Sequence, residues 1–467
     1  MALKGSEEHL ASEILKYDAI VIGSGQGGNP LAHQLASRGE KVALIEPGPL
    51  GGTCVNTGCT PTKTMVASAQ IAHYVRNAER WGVRTGASSA AVSMDMPKVL
   101  RRKSDVVERS RTGWEKTFQN ELDIYRESAR FTGNKTLAAG QHVLQGSRIF
   151  INTGAKPAIP ALDGLDSVPY LTNVSLMELT EVPEHLLVLG GGYVGLEFGQ
   201  MFRRFGSEVT VVHSGKQILP NEDEDAAAEL QKCLEAEGVK FILNARASRA
   251  GKSGQQIQLT VGGQVVTGSH LLVATGRAPQ TENLDLDKTG VEINKKGHIA
   301  VNDRLETSAP DIWAIGDVNG GPAFTHISYN DYQIVYGNLY EGKSLSTATR
   351  IIPYGVFTDP TLGRVGMTEK EARAQGRKLK IGKVPMTRVA RARERGETDG
   401  FMKLLVDAET DFVLGAAILA AEGAELVQIL STLMLAERPY TLLKGAIYIH
   451  PTLAEGFFAL MDSVKPA

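Results

Sequence analysis

The chain has 467 residues, enough for about three domains at roughly 150 residues each. Lys+Arg 50 against Asp+Glu 52 leave a net charge of −2, which excludes a chain-wide electrostatic footprint for nucleic acid and gives no pull toward an anionic membrane. Cysteine, at 3 residues, is too scarce and odd in number for a secreted disulfide framework, whereas glycine, at 50, is abundant.

Residues 1 to about 16 mix acidic and basic side chains without the apolar stretch of a signal peptide, and read as a short polar or helical extension. The apolar run Ala19–Ile22 then predicts a strand that enters Gly23-Ser-Gly25-Gln-Gly-Gly28. A helix-compatible stretch runs to Ala36, Gly39 closes it, and a second strand, Val42–Ile45, ends at Glu46. Each residue has a task in dinucleotide binding. Gly23 permits the tight turn, Gly25 lets backbone approach a pyrophosphate, and Gly28 allows close helix–strand packing. The helix N-terminus faces the phosphates, and Glu46 can accept from ribose hydroxyls.

Next comes Gly51-Gly-Thr-Cys54-Val-Asn-Thr-Gly-Cys59-Thr-Pro61-Thr-Lys63. Two of the three cysteines lie five positions apart, ahead of a proline suited to the first turn of a helix. Zinc usually takes four ligands, and Cys233 is remote in a helical stretch, so no metal site is expected. Two inert thiols or a redox pair remain. The polar, glycine-rich setting favours the pair, because a helix start favours the reactive thiolate.

A second copy of the nucleotide pattern follows. Leu186–Leu189 leads into Gly190-Gly-Gly192-Tyr-Val-Gly195, a helix reaches Phe205, Gly206 closes it, and Val209–Val212 ends at His213. Gly206 follows Gly195 by 11 residues, as Gly39 follows Gly28; His213 follows by 18, as Glu46 does. Two in-register fingerprints imply two bound nucleotides. An acid at the strand end binds a ribose 2′-hydroxyl and repels a 2′-phosphate. The second copy offers His213, Ser214 and Lys216 there, so NADPH is expected over NADH, although no arginine supplies a bidentate fork.

After Arg350 the texture changes to short strand-like runs, Gly355–Phe357, Phe401–Val406 and Val413–Leu419, then helical periodicity from Ala424 to Ala436, which suggests an α+β unit. Arg388, Arg391, Arg393 and Arg395 alternate with small or acidic residues and read as a solvated strand or loop face. The most apolar stretch, Val413–Ala421, is about half the ~18–20 residues of a membrane span, and a cytoplasmic protein is expected.

These motifs together closely resemble the class I pyridine nucleotide–disulfide oxidoreductases, the family of glutathione reductase, lipoamide dehydrogenase and mercuric reductase. The resemblance covers about residues 17–460 and rests on GGTCVNTGCTPTK, on Thr307-Ser-Ala-Pro-Asp-Ile-Trp-Ala-Ile-Gly316-Asp317, on the turns Thr153-Gly154 and Ala274-Thr275-Gly276-Arg277, and on His450-Pro451-Thr452-Leu-Ala-Glu455. It implies an α/β fold with two Rossmann-like dinucleotide-binding domains and a C-terminal α+β dimerisation domain. The FAD-binding domain would take residues 1–155 and 281–350, the NAD(P)-binding domain 156–280, and the dimerisation domain 351–467.

The resemblance also assigns roles. FAD would lie on the first fold, with Gly52, Thr53, Thr153, Gly154, Gly276, Arg277, Gly316 and Asp317 around it, and the nicotinamide cofactor on the second. Cys54 and Cys59 would form a redox-active disulfide, with Cys59 beside the flavin and Cys54 exchanging with substrate. Lys63 would pair with Glu197 near the flavin ring, and Tyr193 would gate the nicotinamide pocket. His450, held by Glu455, would be the acid–base residue acting on Cys54 of the other subunit, which makes an obligate homodimer the expectation.

The acceptor is read by difference. Lipoamide dehydrogenases are similar at His450–Glu455 but are NAD enzymes with an acid where His213 stands. Mercuric reductases are similar in GGTCVN and around Leu453–Gly456, but carry a C-terminal cysteine pair and a tyrosine where this chain has His450. The segment Phe324–Tyr332 looks most like bacterial flavoproteins linked to oxidant or metal-ion reduction. The expected activity is therefore an NADPH-dependent flavin disulfide reductase passing electrons to a small-molecule disulfide, a metal ion or an oxidant. An NAD-dependent dihydrolipoamide dehydrogenase and a mercuric reductase-like enzyme are the alternatives. A non-enzymatic flavoprotein scaffold is disfavoured because every site residue is present.

Overall fold

Ala19, Ile20, Val21 and Ile22 are 0–3% exposed, the signature of a strand covered on both faces. This strand is the centre of a parallel array. The computed structural model describes residues 13–84 and 92–467. In it, Ile14–Ile22 pairs with Val42–Ile45 on one side and with His142–Ile151 on the other. Asp123–Tyr125 extends the sheet beyond Val42–Ile45, and Ile312–Ala314 beyond His142–Ile151. The strand order, with helix Gly28–Ser37 crossing from the first strand to the second, is that of a doubly wound dinucleotide fold. Each fully buried Ile, Leu or Val here contributes about 1.5–3 kcal/mol.

The described chain packs as two units. One comprises residues up to Pro61, Ser104–Lys156 and Arg277–Arg350; the other comprises Thr62–Lys103, Pro157–Gly276 and Ile351–Ala467. The second unit thus takes in Thr62–Lys103, a stretch that the sequence reading groups with residues 1–155.

The second unit repeats the theme. Val239–Ile242, Glu208–Val212, His185–Leu189, His270–Val273 and Tyr170–Leu171 form a five-stranded parallel sheet. Helix Tyr193–Phe205 is its first crossover, buried along Leu196, Phe198, Met201, Phe202 and Phe205. A six-stranded antiparallel sheet follows, built on Thr361–Gly366, Val413–Ala420, Phe401–Asp407 and Leu379–Pro385. Its core includes Leu430 and Leu433 of helix Gly423–Leu435. This is the α+β unit expected after Arg350. Arg364, 1% exposed, bonds Asp223 at 3.2 Å, and Lys403 bonds Glu369 at 2.8 Å and Asp225 at 3.1 Å. These buried charges are mutually compensated.

Two local expectations are corrected. Ile14, Leu15 and Lys16 do not belong to a polar or helical extension but to the first strand, because the long strand His142–Ile151 supplies Val143, Leu144 and Gln145 as partners. The remainder of that extension, residues 1–12, lies outside the described residues. The arginine run is largely solvent-facing, as expected, but helical rather than strand or loop: Arg388 ends the 3-10 turn Met386–Arg388, and Ala390–Arg395 is a short helix ended by Gly396 at φ +70°. Its alternating letters imitate a strand period, but Ala392 is its one buried residue, as a single helical turn requires.

Candidate active site

The two glycine loops are superposable in their steric demands. A methyl on Gly23 would stand 2.3 Å from the Asn152 carbonyl oxygen, and one on Gly190 would stand 2.2 Å from that of Ala274. Both glycines hold positive φ, +100° and +124°, which other residues rarely adopt. A methyl on Gly28 would meet the Gly23 carbonyl at 2.1 Å, and one on Gly195 the Gly190 carbonyl at 2.2 Å. Gly192 has open space where a side chain would be, so a phosphate can approach the backbone there.

Around the first loop Glu46 and Asn152 are the side chains that hold the backbone. Glu46 accepts from the Ser24 N–H and hydroxyl at 2.9 and 2.8 Å and from the Gly48 N–H at 2.9 Å. Asn152, buried at 6% exposure, accepts the Gly28 N–H through Oδ1 at 2.9 Å and donates from Nδ2 to the Ile315 carbonyl at 2.7 Å. It thereby ties the glycine loop to the Gly316-Asp317 turn. Asp331 accepts the Gly316 N–H at 2.7 Å and is ion-paired with Arg350. Asp317 lies 3.4 Å from Arg277, and burial nevertheless holds its carboxyl above the usual aspartate range. Thr153 donates its hydroxyl to the Gln280 carbonyl, and the Gln280 N–H bonds the Gly154 carbonyl at 3.0 Å. In the second unit the Thr275 hydroxyl and Gly276 carbonyl bond Ala158 in the matching manner.

The cysteine segment is built onto the first loop. Gly52 sits so close that a methyl on it would be 2.7 Å from Gly25 Cα. Helix Gly52–Asn56 carries Thr53 and the half-buried Cys54; the exposed Cys59 is the first residue of helix Cys59–Arg76. Asn56 locks the turn through bonds to the Gly52 and Pro49 carbonyls, and Arg111 bonds Asn56 Oδ1 at 2.6 Å. The Cys59 sulfur is 3.1 Å from the Thr325 hydroxyl. That hydroxyl and the helix dipole both favour negative charge on sulfur.

In the second unit Lys63 bonds Glu197 at 2.7 Å, with Glu197 only 4% exposed. Glu197 also accepts the Phe357 N–H at 2.9 Å, and Lys63 lies 4.6 Å over the Phe357 ring. This explains why the strand expected to reach Phe357 ends at Val356. Tyr193 opens helix Tyr193–Phe205, half-buried. His213 Nδ1 accepts the Gly191 N–H at 3.2 Å, Ser214 is exposed, and Lys216 is paired with Glu224 at the surface. His450, 70% exposed, meets both Glu455 oxygens at 3.0 and 3.1 Å. Glu455 also accepts the Thr452 N–H, and these bonds hold its carboxyl below the usual range. Among the described residues no three His, Cys, Asp or Glu side chains are grouped to hold a metal ion.

Sequence reasoning passed over Asn152, Thr325, Asp331, Arg350 and Phe357. Asn152 immediately precedes Thr153-Gly154, and Thr325 and Asp331 lie in the quoted Phe324–Tyr332 stretch. What marks them is tertiary proximity, for which one sequence carries no periodic signal.

A family model described as pyridine nucleotide-disulphide oxidoreductase matches residues 17–331, and one for the dimerisation domain of the same enzymes matches residues 352–460. The chain is 38% identical over 463 residues to the probable pyridine nucleotide-disulfide oxidoreductase RclA of Escherichia coli K12, covering 96% of this chain and all of that one. It is 34% identical to the mercuric reductase of Lysinibacillus sphaericus, over 88% of this chain and 76% of the relative. It is also 34% identical to the dihydrolipoyl dehydrogenase of Thermus scotoductus, over 96% and 97%. The solved Cu(II) complex of the HOCl-induced flavoprotein disulfide reductase RclA from Escherichia coli superposes with TM-score 0.88 at 37% identity, covering 96% of this chain and 100% of that one. Among the described residues no helix is long and apolar enough to cross a membrane.

Proposed function

This chain belongs to the pyridine nucleotide–disulfide oxidoreductases, FAD-dependent enzymes with NAD(P)H as electron donor, and we propose that within them it is an NADPH-dependent reductase of a small disulfide, a metal ion or an oxidant. The observation that carries the reading is the Cys59 sulfur at a helix start, 3.1 Å from the Thr325 hydroxyl, on a segment packed against the first nucleotide loop. Glu46, the Gly23–Gly28 loop and Asp317 would hold FAD, which supplies the two-electron link between nicotinamide and the thiols. The preference for NADPH rests on the absence of a carboxylate at position 213.

The protein's own groups then divide the work. Cys54, as thiolate, attacks one sulfur of the acceptor disulfide and expels the first substrate thiolate. Cys59, as thiolate, then attacks the Cys54 sulfur of the mixed disulfide, expelling the second substrate thiolate and leaving the Cys54–Cys59 disulfide. His450, oriented by Glu455, takes the Cys54 proton and returns it to the departing thiolate. Lys63 and Glu197 would set a compensated charge pair near the flavin ring, and Tyr193 would gate the nicotinamide pocket. The histidine serves the other subunit of a homodimer. Support for that pairing comes from the exposed apolar side chains just before His450 in the chain: Ile447 is 99% exposed and Ile449 79%.

Replacing Cys54 by Ser should abolish disulfide reduction while NADPH still bleaches the flavin under anaerobic conditions. Retained disulfide reductase activity in that variant would refute the assignment. A steady-state panel of disulfides (lipoamide among them), Hg(II), Cu(II) and quinones then ranks the acceptors, and dihydrolipoamide with NAD+ tests the dehydrogenase direction.

A further inference from the structure

In both nucleotide folds the residue ending the second strand reaches back to the second residue of the glycine loop. Glu46 accepts the Ser24 N–H at 2.9 Å, and His213 accepts the Gly191 N–H through Nδ1 at 3.2 Å. The Gly191 carbonyl is held as well, by the Leu219 N–H at 2.9 Å. The imidazole is boxed in by glycines: a methyl on Gly191 would stand 2.9 Å from its Cγ, and one on Gly215 2.7 Å from its Nε2. Nε2 is buried and has no hydrogen-bond partner among the described residues.

We propose that His213 is the positioning residue of the second nucleotide loop, holding the Gly191 amide through a neutral imidazole, and that its protonation releases the loop and weakens binding of either nicotinamide cofactor. The inference rests on reading this fold as the NAD(P)H site.

A neutral imidazole has one acceptor nitrogen, and here it is spent on Gly191. Protonation sets an N–H against an N–H and puts a charge into a box without an acceptor. The packed segments 190–192, Gly-Gly-Gly, and 242–245, Ile-Leu-Asn-Ala, bring no charged side chain, and Nε2 meets no acceptor among the described residues. On the ring's own segment the charged side chain is Lys216, which is turned to Glu224 in solvent. Burial alone pulls the ring below the ordinary histidine value. The bond is therefore complete above that lowered value and is lost as pH falls through it. A carboxyl group keeps acceptor oxygens in either protonation state, so the Ser24 bond in the first fold lacks this sensitivity. The sign separates positioning from charge reading. An imidazolium aimed at a 2′-phosphate would tighten NADPH binding on acidification.

The test titrates NADP+ and NAD+ into FAD-loaded protein calorimetrically between about pH 5 and 8, for wild type, His213→Gln and His213→Ala. FAD content and melting temperature are followed in parallel. Wild type should bind both dinucleotides about three- to tenfold more weakly at the acidic end, the worth of one net hydrogen bond. His213→Gln, whose amide oxygen can accept the Gly191 N–H, should stay within about threefold of wild type at pH 8 and lose the pH dependence. His213→Ala should be weak and flat throughout. The ring 15N shifts of wild type should report Nδ1 as acceptor at neutral pH. Wild-type affinity in His213→Ala, an unchanged slope in His213→Gln, or NADP+ binding that tightens with acid would overturn the proposal alone. Absence of binding of either dinucleotide at any pH would remove the underlying reading and the proposal with it.

Discussion

The two nucleotide folds require glycine at the first and last positions of their loops for the same steric reason, yet differ in what grips the loop. In the first, Asn152 and Glu46 together accept or donate five bonds from Gly28, Ser24, Gly48 and Ile315. In the second, Ala274 occupies the place of Asn152 against the leading glycine, and His213 supplies one bond. Backbone shape therefore makes a dinucleotide site, and side chains decide how rigid it is. A stapled loop suits a resident flavin; a lightly held one suits a nicotinamide that must leave at every turnover.

The sharpest way to break this contrast is to remove the staple. Asn152→Ala leaves the Gly28 N–H and the Ile315 carbonyl without their partner in a fully buried place. About 2–4 kcal/mol of stability should be lost, seen as a lower urea midpoint at unchanged slope, with FAD released on gel filtration. The mirrored change Ala274→Gly should leave NADP+ affinity within about twofold, since it removes no polar partner. Equal effects on the two cofactors would erase the distinction between the folds.

A smaller effect is expected at the strand end. Glu46→Ala leaves three donors, two of them on Ser24, without an acceptor, but at a half-buried position where water substitutes in part. FAD should dissociate about ten- to a hundredfold more readily. Glu46→Gln, which keeps one acceptor oxygen, should fall between. If the Gln variant is as weak as the Ala variant, charge rather than bond count governs the first loop.

Much of this was legible beforehand, for a physical reason. Ala19–Ile22 and Leu186–Leu189 are buried on both faces, so they must be apolar throughout. The glycines must follow them directly, because no other residue fits against the Asn152 and Ala274 carbonyls. The Lys63–Glu197 and His450–Glu455 contacts join residues of the quoted stretches GGTCVNTGCTPTK and His450–Glu455, with Glu197 two residues after the second glycine loop. Asn152, Thr325 and Asp331 were not legible as site residues. Each acts through one polar atom on a distant segment, and a single Asn, Thr or Asp leaves no pattern. Ile14–Lys16 were misjudged because their strand character comes from partners about 130 residues away, and the Arg388–Arg395 run because one helical turn imitates alternation.

The least effect should come from the pair outside the second loop. Lys216 and Glu224 are about three-quarters exposed, and Lys216 holds the Glu224 carboxyl below its usual range. A depressed carboxylate pKa means the pair is made above the ordinary glutamate value and is lost only as pH falls through the lowered one. At neutral pH a 2′-phosphate must therefore compete with Glu224 for Lys216. Glu224→Gln should raise kcat/KM for NADPH by about two- to fivefold and leave NADH unchanged, the modest scale of an exposed ion pair. About 0.5 M salt should erase the gain by screening. An equal rise for NADH would mean that Lys216 does not face the 2′-substituent. A rise confined to NADPH would place cofactor choice on this solvent-facing lysine and leave His213 the separate task of holding the loop.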